Sequence, residues 1–212
     1  MTTVSITRMD LLARKAQIAL ATQGRDLLEQ KRTALLKEFM RTADTALERS
    51  DALERTAEQA RTALARAEAM AGTESVRSAA MASLSGLGLD VTNINIMGVR
   101  MPHIEQRRVA RSALERGYSI VGVSTSIDEA ASAFEAEVEA IIQLAEIEIR
   151  LTRLGEEIQR TSRRLNALDH FVIPRLREEQ KFIQMALDER ERADHFRLKL
   201  VKHALERKRG QG

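Results

Sequence analysis

Acidic and basic side chains are the commonest groups in this sequence that could carry chemistry. Its 212 residues include 34 Lys and Arg, 31 Asp and Glu and 4 His, with a net charge of +3. The carboxylates alternate with basic residues at helical spacings, as in Glu54–Glu58–Arg61 and Glu156–Arg160. Such pairs lie on solvated helix faces and contribute roughly a few tenths of a kcal/mol each. A general acid–base pair needs a pocket that shifts its pKa values, and this pattern offers none.

Histidine, cysteine and glycine patterns give no metal, thiol or phosphate site. The histidines form no H-E-x-x-H or other ligand spacing, and Cys is absent, so we expect no metal and no cofactor. The segment SGLGLD has a G-x-G spacing, but it lacks a third glycine and a preceding strand. A flexible turn is the better interpretation. We therefore predict that the chain has no catalytic residue and is not an enzyme by itself.

Two clusters of basic residues could bind an anionic partner. Arg163 and Arg164 form the first, and Lys199 and Lys202 lie in the basic C-terminal stretch. Single-strand recognition of nucleic acid usually adds stacking aromatics, but the chain has one Tyr, five Phe and no Trp. A nucleic-acid-binding hairpin therefore stays only as an alternative. No run of about 20 apolar residues and no signal peptide is visible, so we expect no membrane insertion.

Two long helices must position these groups. Abundant Ala, Glu, Leu, Arg and Lys with only two prolines are typical of long helices or coiled coils. From residue 39 to 71, apolar and small residues recur at alternating spacings of four and three, which is a heptad pattern. We place Phe39, Leu53 and Leu64 in its seam. Nearer the start, Met9, Leu20 and Leu27 mark one broad face, with a change of register near Gly24.

The second long helix occupies the C-terminal part of the chain. We expect it to begin near Asp128 as N-cap and to extend to about residue 207. Its apolar residues recur mostly three, four or seven apart, and they include Ile141, Ile149 and Val172. The two helices are expected to pair antiparallel, each covering the seam of the other. The seam residues predicted on the second helix are Ile158, Leu165, Leu168 and Leu176.

The segment between the helices has a different composition. Residues 72–127 hold most of the ten glycines. DVTNINIMGVRMP predicts a strand with a change of phase near Met97–Gly98, ended by Pro102, and GYSIVGVST is a second strand-like or loop stretch. We predict an all-α fold: a long antiparallel two-helix coiled coil with a small central head that contains a short β-hairpin. The divisions are 1–71, 72–127 and 128–212, the last including a basic tail.

Two blocks carry more information than periodicity. ATQGRDLLEQKRTALLKEF contains a Gly-x-x-Leu-Leu-x-x-Lys-Arg run followed by Glu-Phe, and TSRRLNALDHFVIPRLREEQ contains an Arg-Arg-hydrophobic-Asn-Ala-Leu run followed by Ile-Pro. Together with NIMGVRMPHIE in the middle, they resemble the D subunit of the V-type and A-type rotary ATPases over nearly the whole chain. The matching residues are Gly24, Leu27, Leu28, Lys31, Arg32, Glu38, Phe39, Arg163, Arg164, Asn166, Ala167, Leu168, Ile173, Pro174, Glu189, Arg190, Glu191, Arg197, Leu198 and Lys199.

The resemblance implies a central-stalk rotor shaft that couples ATP hydrolysis or synthesis to translocation of H⁺ or Na⁺. The implied partners are the hexamer of catalytic A and B subunits, the F subunit of the stalk, and the funnel subunit, called C or d, above the membrane rotor ring. The shaft is then peripheral, on the cytoplasmic side of the membrane. Arg163, Arg164, Lys199 and Lys202 are expected to face acidic loops of partners. A free-standing coiled-coil adaptor or chaperone is the alternative.

Pro174 lies deep inside the second helix. A proline there removes one backbone hydrogen bond and clashes with the preceding turn, at a cost of about 3 kcal/mol. We expect it to set a bend, with a freed carbonyl near His170, because kinks concentrate at prolines. A bent shaft would present different faces to three equivalent catalytic sites. The alternative is a tolerated kink without a role.

Overall fold

Long helices at both ends of the chain flank a small hairpin. The computed structural model describes residues 6–83, 88–105, 109–112, 115–119 and 123–209, so the first half of the SGLGLD segment lies outside the described residues. This order of elements confirms the predicted fold class. The elements are α1 (Arg8–Ala71), α2 (Thr73–Ala82), β1 (Asp90–Ile96), β2 (Val99–Glu105), α3 (Thr125–Ala167), one π-helical turn (Leu168–Val172) and α4 (Ile173–Arg209).

The chain divides into two compact units, which we call the terminal unit and the central unit. The terminal unit comprises residues 1–33 and 160–212, and the central unit comprises residues 34–159. α1 therefore contributes its beginning to the terminal unit and the rest to the central unit. The hairpin, α2 and most of α3 belong to the central unit.

Ion pairs show that the two helices of the terminal unit run in opposite directions. Arg8 lies 2.6 Å from Glu191, and Arg14 lies 3.3 Å from Glu179. Residue numbers rise along α1 as they fall along α4, so these segments run antiparallel. The Arg8–Glu191 pair is exposed and stabilises little by itself, whereas the Arg14–Glu179 pair is half-buried.

The helices of the central unit are antiparallel as well. The Nη1 atom of Arg49 donates a hydrogen bond of 2.7 Å to the Oε1 atom of Gln143. Farther along α1, Arg66 lies 3.8 Å from Glu129, near the start of α3. The connecting head therefore joins two helix ends that lie side by side.

Buried residues of α1 in the central unit follow a heptad register. Leu35 and Thr42 are seven residues apart, and so are Ala60 and Ala67. Thr42 remains compatible with burial because its hydroxyl donates to the carbonyl oxygen of Glu38 at 2.8 Å. Small residues such as alanine allow close approach of two helices, which is why this seam can be narrow.

In the terminal unit three residues predicted on the apolar face of α1 lie outside the seam. Met9, Leu20 and Leu27 are 76%, 70% and 58% exposed. Seam positions are instead occupied partly by charged residues, which hydrophobicity alone does not reveal. The half-buried positions on this part of α1 include Leu11, Arg14, Ile18, Ala21, Arg25, Leu28 and Arg32.

The π-helical turn shifts the seam of the second helix by one residue. The N–H of Ile173 donates to the carbonyl of Leu168, a five-residue step that widens the helix. Val172, which the sequence pattern placed on the apolar face, is 40% exposed, whereas Ile173 is 5% exposed. The extra residue moves Ile173 into the position that a regular helix would give to Val172. Pro174 follows directly, where the wide turn relieves the clash of its ring with the preceding carbonyls.

The strands of the hairpin are joined by Met97 and Gly98. Their φ angles of 53° and 84° fit the two-residue turn that matches the twist of antiparallel strands. The predicted change of phase is therefore a reversal of direction, and the prediction that Pro102 ends a strand is wrong. Pro102 lies within β2, opposite Asn93.

The second strand-like stretch is not a strand in its described part. Residues 117–119 and 123–124 form no regular element, residues 120–122 lie outside the described residues, and α3 begins at Thr125. The N–H of Ile127 donates to the carbonyl of Ser124 at 2.9 Å, so α3 starts earlier than the predicted N-cap, Asp128. The side chain of Asp128 instead accepts hydrogen bonds from Arg116 and Tyr118.

Two apolar clusters hold the central unit together. In the first, Val99 and Met101 of β2 pack with Leu35 of α1 and Leu154 of α3. This cluster fastens the hairpin to both helices. The second lies at the head and consists of Ala67, Ala79, Ile127 and Ala130.

Candidate functional site

The seam residues predicted from the sequence are all buried or half-buried. Phe39 and Ile158 pack against the cluster beneath the hairpin. Leu165 is buried, whereas Leu53, Leu64, Leu168 and Leu176 are half-buried. Their assignment to one continuous coiled-coil seam stays a prediction.

The predicted partner contacts are exposed cations of the terminal unit. Arg163, Arg164 and Lys199 have no ion-pair partner in the described part of the chain. Lys202 lies 3.9 Å from Glu206 on the same helix, a weak surface pair. These side chains can meet an external carboxylate without losing a strong internal contact.

Bulky apolar side chains cover the outside of the terminal unit. Phe171 is 74% exposed, comparable with Met9 and Leu20 on α1. Scattered exposed apolar residues are ordinary, but this many on two paired helices form a surface that another protein normally covers. The further exposed members in this unit are Leu12, Leu27, Phe182, Met185, Phe196, Leu198, Leu200, Val201 and Leu205.

The end of α4 carries apolar residues on two opposite sides. Every residue from 192 to 207 is exposed. Phe196 and Leu200 are four apart and share one side, and Leu198, Val201 and Leu205 share the other, because a helix turns about 100° per residue. A helix that packs against one partner needs a single apolar stripe. Two opposite stripes fit a helix that is surrounded.

The seam of the terminal unit is unusually polar. Arg25 lies 3.8 Å from Asp169, which belongs to the π-helical turn. The Nε atom of Arg32 is buried and has no hydrogen-bond acceptor among the described residues. A buried donor without an acceptor costs about 1–3 kcal/mol. Leu165 and Ile183 are buried in this unit as well, so its seam mixes apolar and polar groups, while many other large apolar side chains remain outside it.

A buried charge cluster organises the head. The guanidinium of Arg116, only 8% exposed, donates to both carboxylate oxygens of Glu135 at 3.0 and 2.9 Å. It also donates to Asp128 at 3.0 Å and to the hydroxyl of Ser132 at 2.9 Å. The hydrogen bonds to Glu135 raise the pKa of Arg116 further above its ordinary value. The loop is thereby fixed to the start of α3.

Sequence analysis missed this cluster. Its only signal is the spacing of Asp128, Ser132 and Glu135, which places three polar groups on one face of α3. The loop partner, Arg116, comes from an irregular segment and could not be paired with that face from sequence.

Tyr118 completes the polar cluster. Its hydroxyl donates to Asp128 at 2.7 Å. Burial, followed by this hydrogen bond, raises the pKa of the Tyr118 phenol above its usual value of 10.0. The phenol therefore stays protonated as a donor at physiological pH.

An apolar cavity of about 520 Å³ lies beside this cluster in the central unit. Its wall includes Leu64, Val76, Ile127 and Phe134, with Arg116 at the polar side. Among the described residues, no convergent set of acid, base and nucleophile faces it. No group of three or more His, Asp or Glu in the described ranges is placed to hold a metal ion.

Comparison with known proteins gives the family. The family model for the D subunit of ATP synthase matches residues 10–203. The chain belongs to this ATP synthase D-subunit family. Membership confirms the resemblance identified from the sequence motifs and favours the rotary-ATPase function over the adaptor and nucleic-acid alternatives.

Relatives in this family match nearly the whole chain. The D subunit of the A-type ATP synthase from Pyrococcus horikoshii is 42% identical over 200 residues, which are 94% of this chain and 94% of that protein. The corresponding A-type D subunits of Methanobrevibacter smithii and Methanoregula boonei are 38% and 41% identical, covering 97% and 92% of this chain and 89% and 94% of their own lengths. As a member of the D-subunit family, the chain is a component of an ATP synthase complex. None of its described helices could cross a bilayer.

Proposed function

We propose that this D-subunit chain is the central rotor shaft of a V/A-type rotary ATPase, with its terminal unit inside the ring of catalytic A and B subunits. The observation that carries the proposal is the large number of bulky apolar side chains that the terminal unit leaves exposed. Met9, Leu20 and Phe171 face outward, while Arg25 and Arg32 occupy the seam. In water this arrangement forfeits apolar burial worth about 1.5–3 kcal/mol for each large side chain. A surrounding sleeve of protein restores that burial.

The end of α4 supports a ring rather than a single partner. Its two opposite apolar stripes can be covered together only by protein on both sides. Phe196 and Leu200 would contact one side of the sleeve while Leu198 and Val201 contact the other. The catalytic hexamer provides such an enclosure, and a rotor inside it exchanges neighbours as it turns.

Exposed cations would guide the shaft within the ring. Arg163, Arg164, Lys199 and Lys202 are the groups expected to face acidic loops of the catalytic subunits. Contacts between exposed charges are weakened by salt, and they affect association more than final stability. Weak, replaceable contacts suit a shaft that must leave each neighbour in turn.

In this proposal the shaft performs no chemistry of its own. ATP binding and cleavage belong to the A and B subunits, and the D subunit carries torque to the membrane rotor through the funnel subunit, called C or d. The F subunit binds along its side. The shaft is peripheral to the membrane, on the cytoplasmic side, and it needs no cofactor.

The test is reconstitution with the catalytic hexamer. We expect Phe196→Ser combined with Leu200→Ser, and separately Leu198→Ser combined with Val201→Ser, each to weaken assembly at least tenfold, because each pair loses more than about 1.4 kcal/mol of apolar burial. Met81→Ser on α2 is the matched control, an exposed apolar residue of the central unit that should leave hexamer binding unchanged. Unchanged assembly in both double variants would refute enclosure of α4.

A further inference from the structure

The hairpin of the central unit lies on the helices mainly through β2. β2 is held against α1 and α3 by Val99 and Met101, whereas residues 90–95 of β1 are all exposed. The described sheet has two strands, in the order β1–β2. Within the described part of the chain, β1 therefore has one side paired with β2 and one free edge.

The register shows which backbone groups point to that free edge. The two-residue turn makes Ile96 and Val99 a hydrogen-bonded pair, and the pattern alternates along the ladder. The pairs at Val91, Asn93 and Asn95 are then the non-bonded ones, so their N–H and C=O groups point away from β2. Pro102 agrees with this assignment. It lies opposite Asn93 and has no N–H to donate, so the ladder loses nothing there.

This edge lacks the features that usually block strand pairing. Proteins protect exposed edges with proline, lysine, bulges or very short strands. β1 is seven residues long, has neither proline nor lysine, and carries one charge, Asp90, at its beginning. The proline and the arginine of the hairpin, Pro102 and Arg100, both lie on β2 instead. An exposed strand edge without such protection indicates that another strand normally pairs with it.

We propose that the β1 edge accepts an extended strand from a neighbouring subunit of the rotary complex, which makes the hairpin three-stranded. The inference rests on the proposed function because it takes the neighbour from the assembled stalk. Backbone groups of Val91, Asn93 and Asn95 supply the hydrogen bonds of the new ladder. Strand addition is an established mode of recognition in which the main chain gives affinity and alternate side chains give specificity.

The two faces of the hairpin define the chemistry of the incoming strand. On the face toward the helices, Ile94 and Ile96 continue the apolar surface of the cluster beneath β2, so the new strand should place apolar residues there. On the other face Arg100 is exposed and has no partner in the described part of the chain. A carboxylate on that face of the incoming strand would have to reach across Asn95 of β1 to pair with it.

A second copy of this chain fits the edge less well. Antiparallel pairing of two β1 strands about Asn93 would bring Asp90 beside Ile96 on the helix-facing side. No carboxylate would then reach the face that carries Arg100. Charge complementarity therefore favours a different polypeptide.

Residue-resolved hydrogen exchange tests the proposal. In the isolated subunit the amides of Val91, Asn93 and Asn95 should exchange quickly, while those of Ile94 and Ile96 are protected by the ladder. In the reconstituted complex the three edge amides should slow at least tenfold. Edge amides that stay fast in a complex that has assembled would overturn the strand addition and leave the shaft function intact. Failure to assemble at all would count against the shaft function instead.

Asn93→Pro and Asn93→Ala form a matched pair of variants. Proline removes the outward N–H, whereas alanine changes the side chain and keeps that donor. We expect weaker binding of the stalk neighbour with proline and unchanged binding with alanine, while protection at Ile94 and Ile96 reports that the hairpin is still formed. Equal binding by both variants would overturn the proposal. So would concentration-dependent protection of the edge in the isolated subunit, because that result assigns the edge to a second copy.

Discussion

At the scale of single residues, Arg116 shows how hydrogen bonds can determine the structure of the head although its apolar core is small. The residues of the apolar cluster in the head are mostly alanines, and each alanine buries little surface area. The donors of a buried guanidinium must all find acceptors, and few arrangements of the loop allow this. The Arg116 side chain therefore holds the loop against α3 in a single arrangement. Such a pair adds little net stability, but breaking it is costly because the remaining charge then lacks its partner.

Replacing Glu135 with Gln should destabilise the isolated subunit by about 3 kcal/mol, because Arg116 would keep its buried charge with only Asp128 to balance it. Denaturant unfolding measures the change. Glu129→Gln is the control, since Glu129 pairs with Arg66 at 3.8 Å on the surface and its loss should cost less than about 0.5 kcal/mol. Equal effects of the two substitutions would contradict the role of the cluster.

Tyr118 gives the head a specific alkaline response. Its pKa is raised by burial, so the folded state holds the phenol proton more tightly than the unfolded chain, where tyrosine titrates near 10.0. The resulting stability is complete below that pH and is lost as the pH rises through the folded-state pKa. Tyr118→Phe should cost about 1 kcal/mol at neutral pH, through the lost hydrogen bond to Asp128.

The pH series separates the two effects of this substitution. Between about pH 9 and 11, the stability difference between the wild-type subunit and Tyr118→Phe should shrink, because only the wild type loses the phenol contribution. Unfolding free energies at each pH measure it. A constant difference across the series would show that Tyr118 does not titrate in this way.

At the scale of elements, the π-helical turn explains why a proline sits inside a long helix. One inserted residue lets the seam continue from Leu168 to Ile173, and it widens the helix where Pro174 lacks an N–H. The turn also places Asp169 within 3.8 Å of Arg25 on the opposite helix. A bend at Pro174 stays a prediction, since the turn accounts for the proline without one.

Removing the inserted residue should convert the turn to regular α-helix. We expect deletion of the exposed His170, combined with Pro174→Ala, to leave a continuous heptad seam and to raise the thermal stability of the isolated subunit, by up to about 3 kcal/mol from loss of the proline. Circular dichroism during heating measures this. Deletion of the exposed Glu178 with Pro174→Ala is the control and should destabilise, because it shifts the seam instead of restoring it. Equal melting temperatures would contradict the assigned register.

The sequence predicts these elements well where apolar residues define the face. The heptad positions of Phe39 and Leu53 follow directly from spacing, and β-branched residues around Met97–Gly98 predict extended backbone there, although not the reversal of direction at that point. The prediction fails where other groups hold the seam. Arg25 and Arg32 replace apolar residues there, and a π-helical turn adds a residue that no 3.6-residue pattern contains.

The same limits apply to the candidate sites. Arg163 and Lys199 could be predicted as exposed cations, because charged residues can be located directly in the sequence. The free edge of β1 could not, because it depends on which strand lies against the helices. The polar cluster of Arg116 depends on a loop contact across the head and is likewise a tertiary property.

At the scale of the whole molecule, the polarity of the surface distinguishes the shaft from an ordinary helical pair. An adaptor that works in water would bury its large apolar side chains and expose its arginines. This D subunit instead exposes many large apolar side chains along its terminal unit and holds Arg25 and Arg32 half-buried in the seam. Its relatives are components of A-type ATP synthases. The isolated chain is therefore one part of a structure that is completed by its surroundings.

Rotation of this subunit inside the catalytic hexamer is the most direct test of the account. The chain has no Cys, so Ser78→Cys on exposed α2 gives a single attachment point for a bead, with the A and B subunits fixed to a surface. On addition of ATP, the account predicts that the bead turns in one direction, in steps of one third of a turn. A bead that stays still relative to the hexamer while ATP is hydrolysed would contradict it.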